Sequence, residues 1–409
     1  MLNTPFAPWP SFSEEEVAAV ARVLASNRVN YWTGQECREF EKEFAAWVGT
    51  EHAVALANGT VALDLALVCL GIKAGDEVIV TPRTFLASVS CVVTAGAIPV
   101  FADVDPDSGN ITAESIAAVL TPRTKAVIVV HLAGWPADMD PIMDLAEAHG
   151  LKVIEDCAQA HGARYKGRSV GSIGHVGAWS FCQDKIMTTG GEGGMVTTND
   201  RELWARMWAY KDHGKSWEAV YEREHPPGFR WLHESFGTNW RMLEMQAVIG
   251  RIQLTRMDDW TKAREANASI IAAALAPLAG EDGPIRLPRF RCASCTGCND
   301  GCRHAQYKAY AYVRPERLAP GWSRDRIIAE ITARGVPCYQ GSCSEVYLER
   351  AFHGTGWRPM ERLPVAQDMG ETSLMFLVHP TLTVEEIQKT AKVAAEVIAS
   401  ARHRDPKLV

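Results

Sequence analysis

Between about residues 50 and 200, short apolar runs alternate with stretches of helical periodicity. The first pair is AVALAN (53–58), which predicts a strand, and GTVALDLALVCLG (59–71), which predicts a helix. The alternation continues to KVIEDC (152–157), another predicted strand. Strands that alternate with helices of about ten to fifteen residues indicate right-handed crossover units and a mostly parallel sheet. We therefore expect an α/β fold that binds its ligands beyond the carboxyl ends of the strands.

The two ends of the chain depart from this alternation. Ser13 precedes Glu16 by three residues and an apolar stripe follows, which predicts a capped N-terminal helix. The proline-broken segment EDGPIRLPRF (281–290) is typical of a linker, and a smaller α+β pattern follows it. A chain of 409 residues is long enough for two domains. We expect an N-terminal arm over 1–15, a large domain over 16–265 and a small C-terminal domain over 266–409.

Composition and charge exclude several classes of partner. The chain is 47% hydrophobic and 22% charged, which is an ordinary globular profile. Its formal net charge of −7 argues against a broad nucleic-acid surface, because phosphate-binding faces are normally positive. The start, MLNTPFAPWPSF, lacks the features of a signal peptide, and the longest apolar run is far short of a membrane span. We expect a cytoplasmic protein with no nucleic-acid and no membrane partner.

Three residues predict a phosphate-binding corner. Gly59 and Thr60 open a helix directly after a strand. The first turn of a helix has unpaired N–H groups and partial positive charge, and both favour a phosphate. Ser180 adds a short hydroxyl near the lysine-containing segment SFCQDKIMTTGGEGG (180–194).

Three further residues indicate which phosphate-bearing ligand the chain binds. Phe85 follows a predicted strand and can lie flat against an aromatic ligand, whereas Asp156 closes a strand at the ligand edge. Lys185 is an isolated amine beside a run of glycines and threonines. A lysine that forms a Schiff base, an acid that keeps a pyridine nitrogen protonated, an aromatic platform and a phosphate seat are the parts of a pyridoxal phosphate (PLP) site.

Each of these residues also has a simpler explanation when it stands alone. A strand-end aspartate is most often a turn residue or a cap, and a Gly-Thr pair after a strand often does no more than begin a helix. A lysine next to glycines is often a solvated loop residue. The ordered combination is what favours PLP.

That order of motifs resembles the sugar aminotransferases of the DegT/DnrJ/EryC1/StrS family. The motifs are NGTVAL, PRTF, DVD, HLAGWPADMD, EDCAQAHGARYKG, SFCQDKIMTTGGEGG and GTNWRMLEMQAVIGRIQL. The resemblance is strong over roughly residues 30–270 and weaker in the C-terminal third. It implies a fold-type-I PLP-dependent transferase with a mostly parallel, seven-stranded-type sheet between helices. It also implies a homodimer whose active sites lie at the subunit interface.

The resemblance assigns roles to individual residues. It implies that Lys185 and Asp156 are catalytic, with Lys185 bound to the cofactor and Asp156 at its pyridine nitrogen. The other cofactor-binding positions that it implies are Gly59, Thr60 and Ser180 at the phosphate, Phe85 on the ring, Gln159 near the ring hydroxyl, and Asn239 reaching the phosphate from the partner subunit. Because of Asn239, a monomer is expected to be poorly active. Cys182 stands where the family often has histidine, and such departures leave the sugar open.

A cluster of cysteines lies in a Cys-rich insertion over 291–303. The four thiols follow the spacing C-x2-C-x2-C-x3-C and are Cys292, Cys295, Cys298 and Cys302. Short gaps of this kind let neighbouring sulfurs turn toward one metal ion. Zinc is favoured, and an iron–sulfur cluster and unmetallated thiols are the alternatives.

We expect an aminotransferase that moves an amino group from L-glutamate to a keto sugar, linked to a nucleotide, in amino-sugar or surface-polysaccharide biosynthesis, with lipopolysaccharide as one such product. One alternative is a pyridoxamine-phosphate-dependent sugar dehydratase with an iron–sulfur cluster. Such dehydratases resemble this chain but have histidine in place of Lys185 and a wider cysteine spacing. The other alternative is a non-catalytic PLP-binding regulatory protein, which the intact set of Asp156, Gln159 and Lys185 disfavours.

Overall fold

The structure is a computed structural model, and it describes residues 6–290 and 301–403. Strands and helices alternate along most of this length. The strands are β1 (His52–Leu56), β2 (Glu77–Val80), β3 (Ile98–Phe101), β4 (Thr124–Val130), β5 (Lys152–Asp156), β6 (Arg164–Tyr165), β7 (Arg168–Ser169), β8 (Val176–Ser180), β9 (Gly194–Thr198), β10 (Ile285–Arg286), β11 (Ala309–Val313), β12 (Cys338–Tyr339) and β13 (Ser373–Phe376). The helices are α1 (Glu14–Ala25), α2 (Glu36–Val48), α3 (Gly59–Cys69), α4 (Ala87–Thr94), α5 (Ala113–Ala117), α6 (Met139–His149), α7 (Arg201–Tyr210), α8 (Trp217–Tyr221), α9 (Glu244–Thr255), α10 (Met257–Leu275), α11 (Arg324–Ala333), α12 (Pro364–Thr372) and α13 (Val384–Ala401).

Seven strands form the main sheet, in the order β1-β9-β8-β5-β4-β2-β3. Within this order, the neighbours in the run β8-β5-β4-β2-β3 pair in parallel. Strand β9 pairs antiparallel with both β8 and β1. Strand β5 lies in the middle, where Asp156 pairs with Val130 on one side and Ala178 on the other. The mostly parallel seven-stranded sheet expected from the sequence is therefore confirmed, and its central strand ends at Asp156.

Local sequence explains why these segments fold as they do. Strands β2 and β8 are buried at every position, as expected when helices cover both faces of a parallel sheet. Helix α3 begins where the side chain of Asn58 accepts a hydrogen bond from the N–H of Val61. The predicted capping box of α1 is present, with Ser13 and Glu16 each accepting a hydrogen bond from the other's backbone N–H.

A second, smaller sheet lies in the C-terminal part and has the antiparallel order β10-β11-β13-β12. A separate hydrophobic core packs beneath it, built mainly from α10, α11, α13 and these strands. Phe6 of the N-terminal arm is buried in this second core. The predicted boundary between 265 and 266 falls inside α10 (Met257–Leu275), and the division into domains stays a prediction.

The segment 281–290 differs in one respect from the sequence expectation. Its residues Ile285 and Arg286 form β10 and pair with Val313 and Tyr312 of β11, so part of the expected linker is an edge strand. The flanking prolines suit an edge position, because an edge strand leaves one side of its backbone without ladder partners. Within the described ranges, no helix is both long and apolar enough to cross a membrane.

Candidate functional site

A cavity of about 970 Å³ opens at the carboxyl ends of β5 and β8 and at the start of α3. Its far side is formed by residues around β11 and by the segment after β12. Seven of the eight predicted cofactor residues line it, namely Gly59, Thr60, Phe85, Asp156, Gln159, Ser180 and Lys185. The sheet edge expected from the strand order is therefore where these side chains meet.

Asp156 is held from two directions at the end of β5. The hydroxyl of Ser88 donates to its Oδ2 at 2.7 Å, and the N–H of Ala158 donates to its Oδ1 at 3.1 Å. The Ser88 hydroxyl is in turn 2.7 Å from that of Thr84. The carboxylate is only 5% exposed and still lines the cavity, so its direction is fixed by neighbours.

The N-terminus of α3 comes very close to the end of β8. A Cβ added at Gly59 would lie 2.5 Å from the Cβ of Ser180, so any larger residue would push the helix away from the strand. Asn58, Gly59 and Thr60 all line the cavity, and Asn58 caps the N–H of Val61 rather than those of its two neighbours. Free first-turn N–H groups beside a serine hydroxyl form a seat for a phosphate.

Lys185 lies on the loop after β8 and is 16% exposed. Its Nζ is 3.8 Å from Oδ1 of Asp184 and lies 5.5 Å from the centre of the Tyr307 ring. Its carbonyl oxygen accepts a hydrogen bond of 2.8 Å from the indole N–H of Trp9. The N-terminal arm therefore holds the backbone of the residue whose amine faces the cavity.

Phe85 and Gln159 occupy opposite extremes of exposure. Phe85 is 71% exposed and lies just before α4, one residue before the N-cap position that precedes Ala87. Gln159 is buried, and its Oε1 accepts a 2.8 Å hydrogen bond from the N–H of Ala133. Gln159 also lines the cavity, and none of the hydrogen bonds among the described residues uses its amide NH₂.

Asn239 does not join the others in its own chain. It is exposed, and its backbone pairs with Asp212 at the base of the segment between α8 and α9. Phe229, Trp231 and Phe236 of the same segment are also exposed, with Phe236 at 99%. The segment 228–239 thus presents aromatic rings together with Asn239 on the surface of the chain.

Several side chains around the cavity have no recognisable signal in the sequence. Ser88 gave no signal apart from its place in the helix after Phe85. Tyr307 donates its hydroxyl to Oδ2 of Asp184 at 2.6 Å, although the two residues are far apart in the chain. Burial raises the pKa of Asp184, but Lys185 and the Tyr307 hydrogen bond outweigh burial and hold it below its usual value. No local pattern marks such a contact, because it depends on how the two parts of the chain pack.

The predicted metal site lies largely outside the described residues. Cys292, Cys295 and Cys298 belong to the stretch 291–300, of which nothing is described. Cys302 is described, and its sulfur accepts a hydrogen bond of 3.3 Å from the N–H of Lys166. In the described ranges, one group has the geometry to hold a metal ion, namely His131, Glu155 and Cys157. The Glu155 carboxylate there already accepts hydrogen bonds from the His131 ring and from three backbone N–H groups.

Comparison with known proteins agrees with this geometry. The family model described as the DegT/DnrJ/EryC1/StrS aminotransferase family matches residues 10–395. The chain belongs to this aminotransferase family. It is a PLP-dependent sugar aminotransferase, as the sequence predicted. The match reaches well into the C-terminal third, where the motifs were weakest.

Individual members of the family resemble the chain over nearly its whole length. An aminotransferase from Psychrobacter cryohalolentis of known structure is 66% identical, has a TM-score of 0.94, and is matched over 97% of this chain and all of that one. The spore coat polysaccharide biosynthesis protein SpsC of Bacillus subtilis is 43% identical over 97% of this chain and 98% of its own. A dTDP-3-amino-3,4,6-trideoxy-alpha-D-glucose transaminase of Streptomyces venezuelae is 38% identical over 92% and 90%.

The residues at the cavity fit the family's cofactor. The buried Asp156 carboxylate, the tight approach of Gly59 to Ser180 and the amine of Lys185 face one space. These groups suit, respectively, a protonated ring nitrogen, a phosphate and an aldehyde. The comparisons support neither a metal ion nor a link to lipopolysaccharide.

Proposed function

We propose that the chain transfers an amino group from L-glutamate to a keto sugar that is attached to a nucleotide. The observation that carries the proposal is the meeting of the Lys185 amine, the Asp156 carboxylate and the N-terminus of α3 at one cavity. The Streptomyces venezuelae relative is named as the transaminase of a dTDP-linked sugar, which supports the nucleotide. SpsC supports a role in polysaccharide biosynthesis.

In this proposal PLP supplies an aldehyde that binds amines and a ring that accepts an electron pair. The chain's own groups hold that ring. Asp156, fixed by Ser88 and Ala158, would bind the ring nitrogen and keep it protonated. The first turn of α3 and the hydroxyl of Ser180 would hold the phosphate, Phe85 would pack on the ring, and Gln159 would donate a hydrogen bond to the ring hydroxyl.

Lys185 is the proton carrier. With the cofactor and donor bound, Nζ would be placed to remove the proton from the donor's α-carbon and, in the second half-reaction, to deliver a proton to the sugar carbon that receives the nitrogen. Asp184 lies 3.8 Å away, and the hydrogen bond from Tyr307 holds its carboxylate beside the amine.

A spectroscopic experiment tests the transamination directly. L-Glutamate added to the purified, PLP-saturated protein is expected to shift the absorption of the bound cofactor toward that of pyridoxamine phosphate, with release of 2-oxoglutarate. A panel of nucleotide-linked keto sugars, read by mass spectrometry, then identifies the acceptor by a gain of one amino group in place of the keto oxygen. If glutamate leaves the spectrum unchanged and no donor replaces it, the protein binds the cofactor without transamination.

We also propose that two chains share each site, with Asn239 reaching the phosphate of the partner subunit. Support comes from its exposure and from the exposed rings of Phe229, Trp231 and Phe236 beside it. Two inactive variants test this by complementation. Co-expressed Lys185→Ala and Asn239→Ala chains carry different tags and are purified as mixed dimers. If the sites are shared between chains, the mixed dimer regains activity, because one of its two sites then has both residues intact. If each site is built within one chain, the mixed dimer stays inactive.

A zinc ion bound by Cys292, Cys295, Cys298 and Cys302 stays a prediction. Metal analysis of the purified protein tests it, with a Cys292→Ala, Cys295→Ala double variant as the comparison. One equivalent of zinc that is lost in the double variant supports the site. Iron with acid-labile sulfide indicates the alternative cluster, and no metal in either protein indicates free thiols.

A further inference from the structure

The wall of the cavity opposite the sheet carries a lysine that the proposed chemistry does not use. Lys308 stands just before β11 and lines the cavity together with its neighbours Tyr307 and Tyr310. Its Nζ lies 4.8 Å from the centre of the Tyr307 ring. Asp156 lies on the sheet side of the same cavity and Lys185 between the two sides, so Lys308 borders the space in which substrate must bind.

Lys308 has no acid for a partner among residues 6–290 and 301–403. None of their ion pairs or hydrogen bonds involves its Nζ. The nearby carboxylate of Asp184 already accepts the hydroxyl of Tyr307 at 2.6 Å and lies 3.8 Å from Lys185. By contrast the fully buried Lys211 is paired with Glu41 at 3.2 Å. A partly buried ammonium without a counter-ion is costly, because it has lost water and gained no anion.

A second cation lies behind Lys308. Arg264 of α10 is fully buried, and its Nη1 makes two contacts of 3.4 Å with the carbonyl oxygens of Gln306 and Tyr307. Its Nε and Nη2 have no hydrogen-bond partner among the described residues. Lys308 thus has two other positive groups near it, Lys185 and Arg264, and Asp184 is the acid that acts on it. The excess positive potential on this wall attracts an anion.

We propose that Lys308 is a binding residue for a carboxylate of the substrate, with Arg264 strengthening the potential from behind. The inference rests on the proposed transamination, in which the donor is an amino acid and therefore carries a carboxylate. A keto sugar that carries an acid group would offer the same chemistry. A carboxylate suits a lone ammonium at the cavity wall, since it gives Lys308 its missing anion and a charged hydrogen bond.

Calorimetric binding provides a test that does not depend on turnover. PLP-saturated wild-type protein and Lys308→Gln protein are titrated with 2-oxoglutarate, the keto acid of the proposed donor. Loss of a charged hydrogen bond is worth about 1.5–3 kcal/mol, so Kd is expected to rise roughly 10- to 100-fold. Lys308→Arg keeps the charge and should recover most of the affinity. Lys262→Gln is the matched control, because this 70%-exposed lysine lies on the same helix as Arg264.

The two half-reactions identify which substrate brings the carboxylate. If the donor brings it, KM for glutamate rises in Lys308→Gln by a similar factor with little change in kcat, and KM for the keto sugar stays constant. If the sugar brings it, 2-oxoglutarate affinity and glutamate KM stay constant, and KM rises only for keto sugars that bear a carboxylate. Unchanged binding of both kinds of substrate would overturn the inference, as would an effect limited to dTDP or UDP, which would assign Lys308 to the diphosphate. Either negative result leaves the glutamate-driven spectral change of the wild-type protein intact, so the two proposals fail separately.

Discussion

The two walls of the cavity differ in how well their charged groups are satisfied. On the sheet wall, Asp156 accepts hydrogen bonds from Ser88 and Ala158 and is fixed before any ligand arrives. On the opposite wall, Lys308 has no acid partner within the described chain, and Arg264 keeps two nitrogens without hydrogen bonds. The sheet wall is organised like a scaffold for a tightly held cofactor. On the opposite wall the positive charges lack anionic partners in the part of the chain that the structure describes, as expected if the proposed substrate carboxylate binds there and leaves with each turnover.

Lys185 lies between the two walls, and its loss is expected to have the largest effect. Lys185→Ala removes both the attachment point and the proton carrier, so turnover should fall by on the order of 10⁴-fold or more while the protein stays folded. The measurement is steady-state transamination, with circular dichroism as the check on folding and Lys262→Ala as the control. Turnover within tenfold of wild type would show that Lys185 is neither the attachment point of the cofactor nor the proton carrier.

Asp156→Asn tests whether the sheet wall acts through charge. The substitution keeps the size of the side chain and removes the anion, so kcat should fall by about 10²–10³-fold, the range seen when one preorganised electrostatic contact is lost. Ser88→Ala is the companion variant, and it removes one hydrogen bond to that anion. It should cost roughly tenfold. A Ser88→Ala loss as large as that of Asp156→Asn would mean that orientation outweighs charge.

Several histidines near the two walls are buried, and their protonation in acid should lower the unfolding free energy. Burial lowers the pKa of His161, beside the sheet wall, to about 3, and also that of His304 and of His379 on the other side to about 3. An unfolded histidine ionises near 6.5, so below that pH the unfolded chain binds more protons and the unfolding free energy falls. Between pH 7 and pH 5, each of these histidines should lower the unfolding free energy by about 2 kcal/mol.

Urea denaturation at pH 7 and at pH 5 measures this effect. The His161→Gln variant has one buried titrating group fewer, so its unfolding free energy should change by about 2 kcal/mol less than that of wild type over the same interval. His149→Gln, which alters an exposed histidine of α6, is the control. An equal pH dependence in wild type and His161→Gln would place the acid sensitivity elsewhere.

The smallest expected effect is a pH dependence of carboxylate binding at the opposite wall. Burial, Arg264 and Lys185 lower the pKa of Lys308 to about 8, against the opposing charge of Asp184. The charged form is lost as pH rises through that value, so KM for the carboxylate substrate should rise about threefold between pH 7.5 and 8.5. Lys308→Arg keeps its charge and should show a weaker rise. Identical profiles would mean that a group other than Lys308 causes the rise in KM.

Local patterns predicted the sheet wall well. Asp156 and Ser180 close buried strands, and Gly59 opens the helix after one, so their common edge follows from strand–helix alternation alone. Lys308, Tyr307 and Trp9 carry no comparable signal. Lys308 and Tyr307 line the cavity, and Trp9 contacts the carbonyl of Lys185, through packing between segments that are far apart in the chain, which no spacing in the sequence records. Asn239 was predicted from family resemblance, since its exposed position gives no reason to assign it to a site.

The most direct measurement is the site at which the cofactor attaches. The purified, PLP-saturated protein is reduced with borohydride, digested and analysed by mass spectrometry. We expect a reduced cofactor adduct on the amine of Lys185, absent from Lys185→Ala and without a counterpart on Lys308. An adduct on Lys308 instead, or a colourless protein that yields no adduct after saturation, would contradict it.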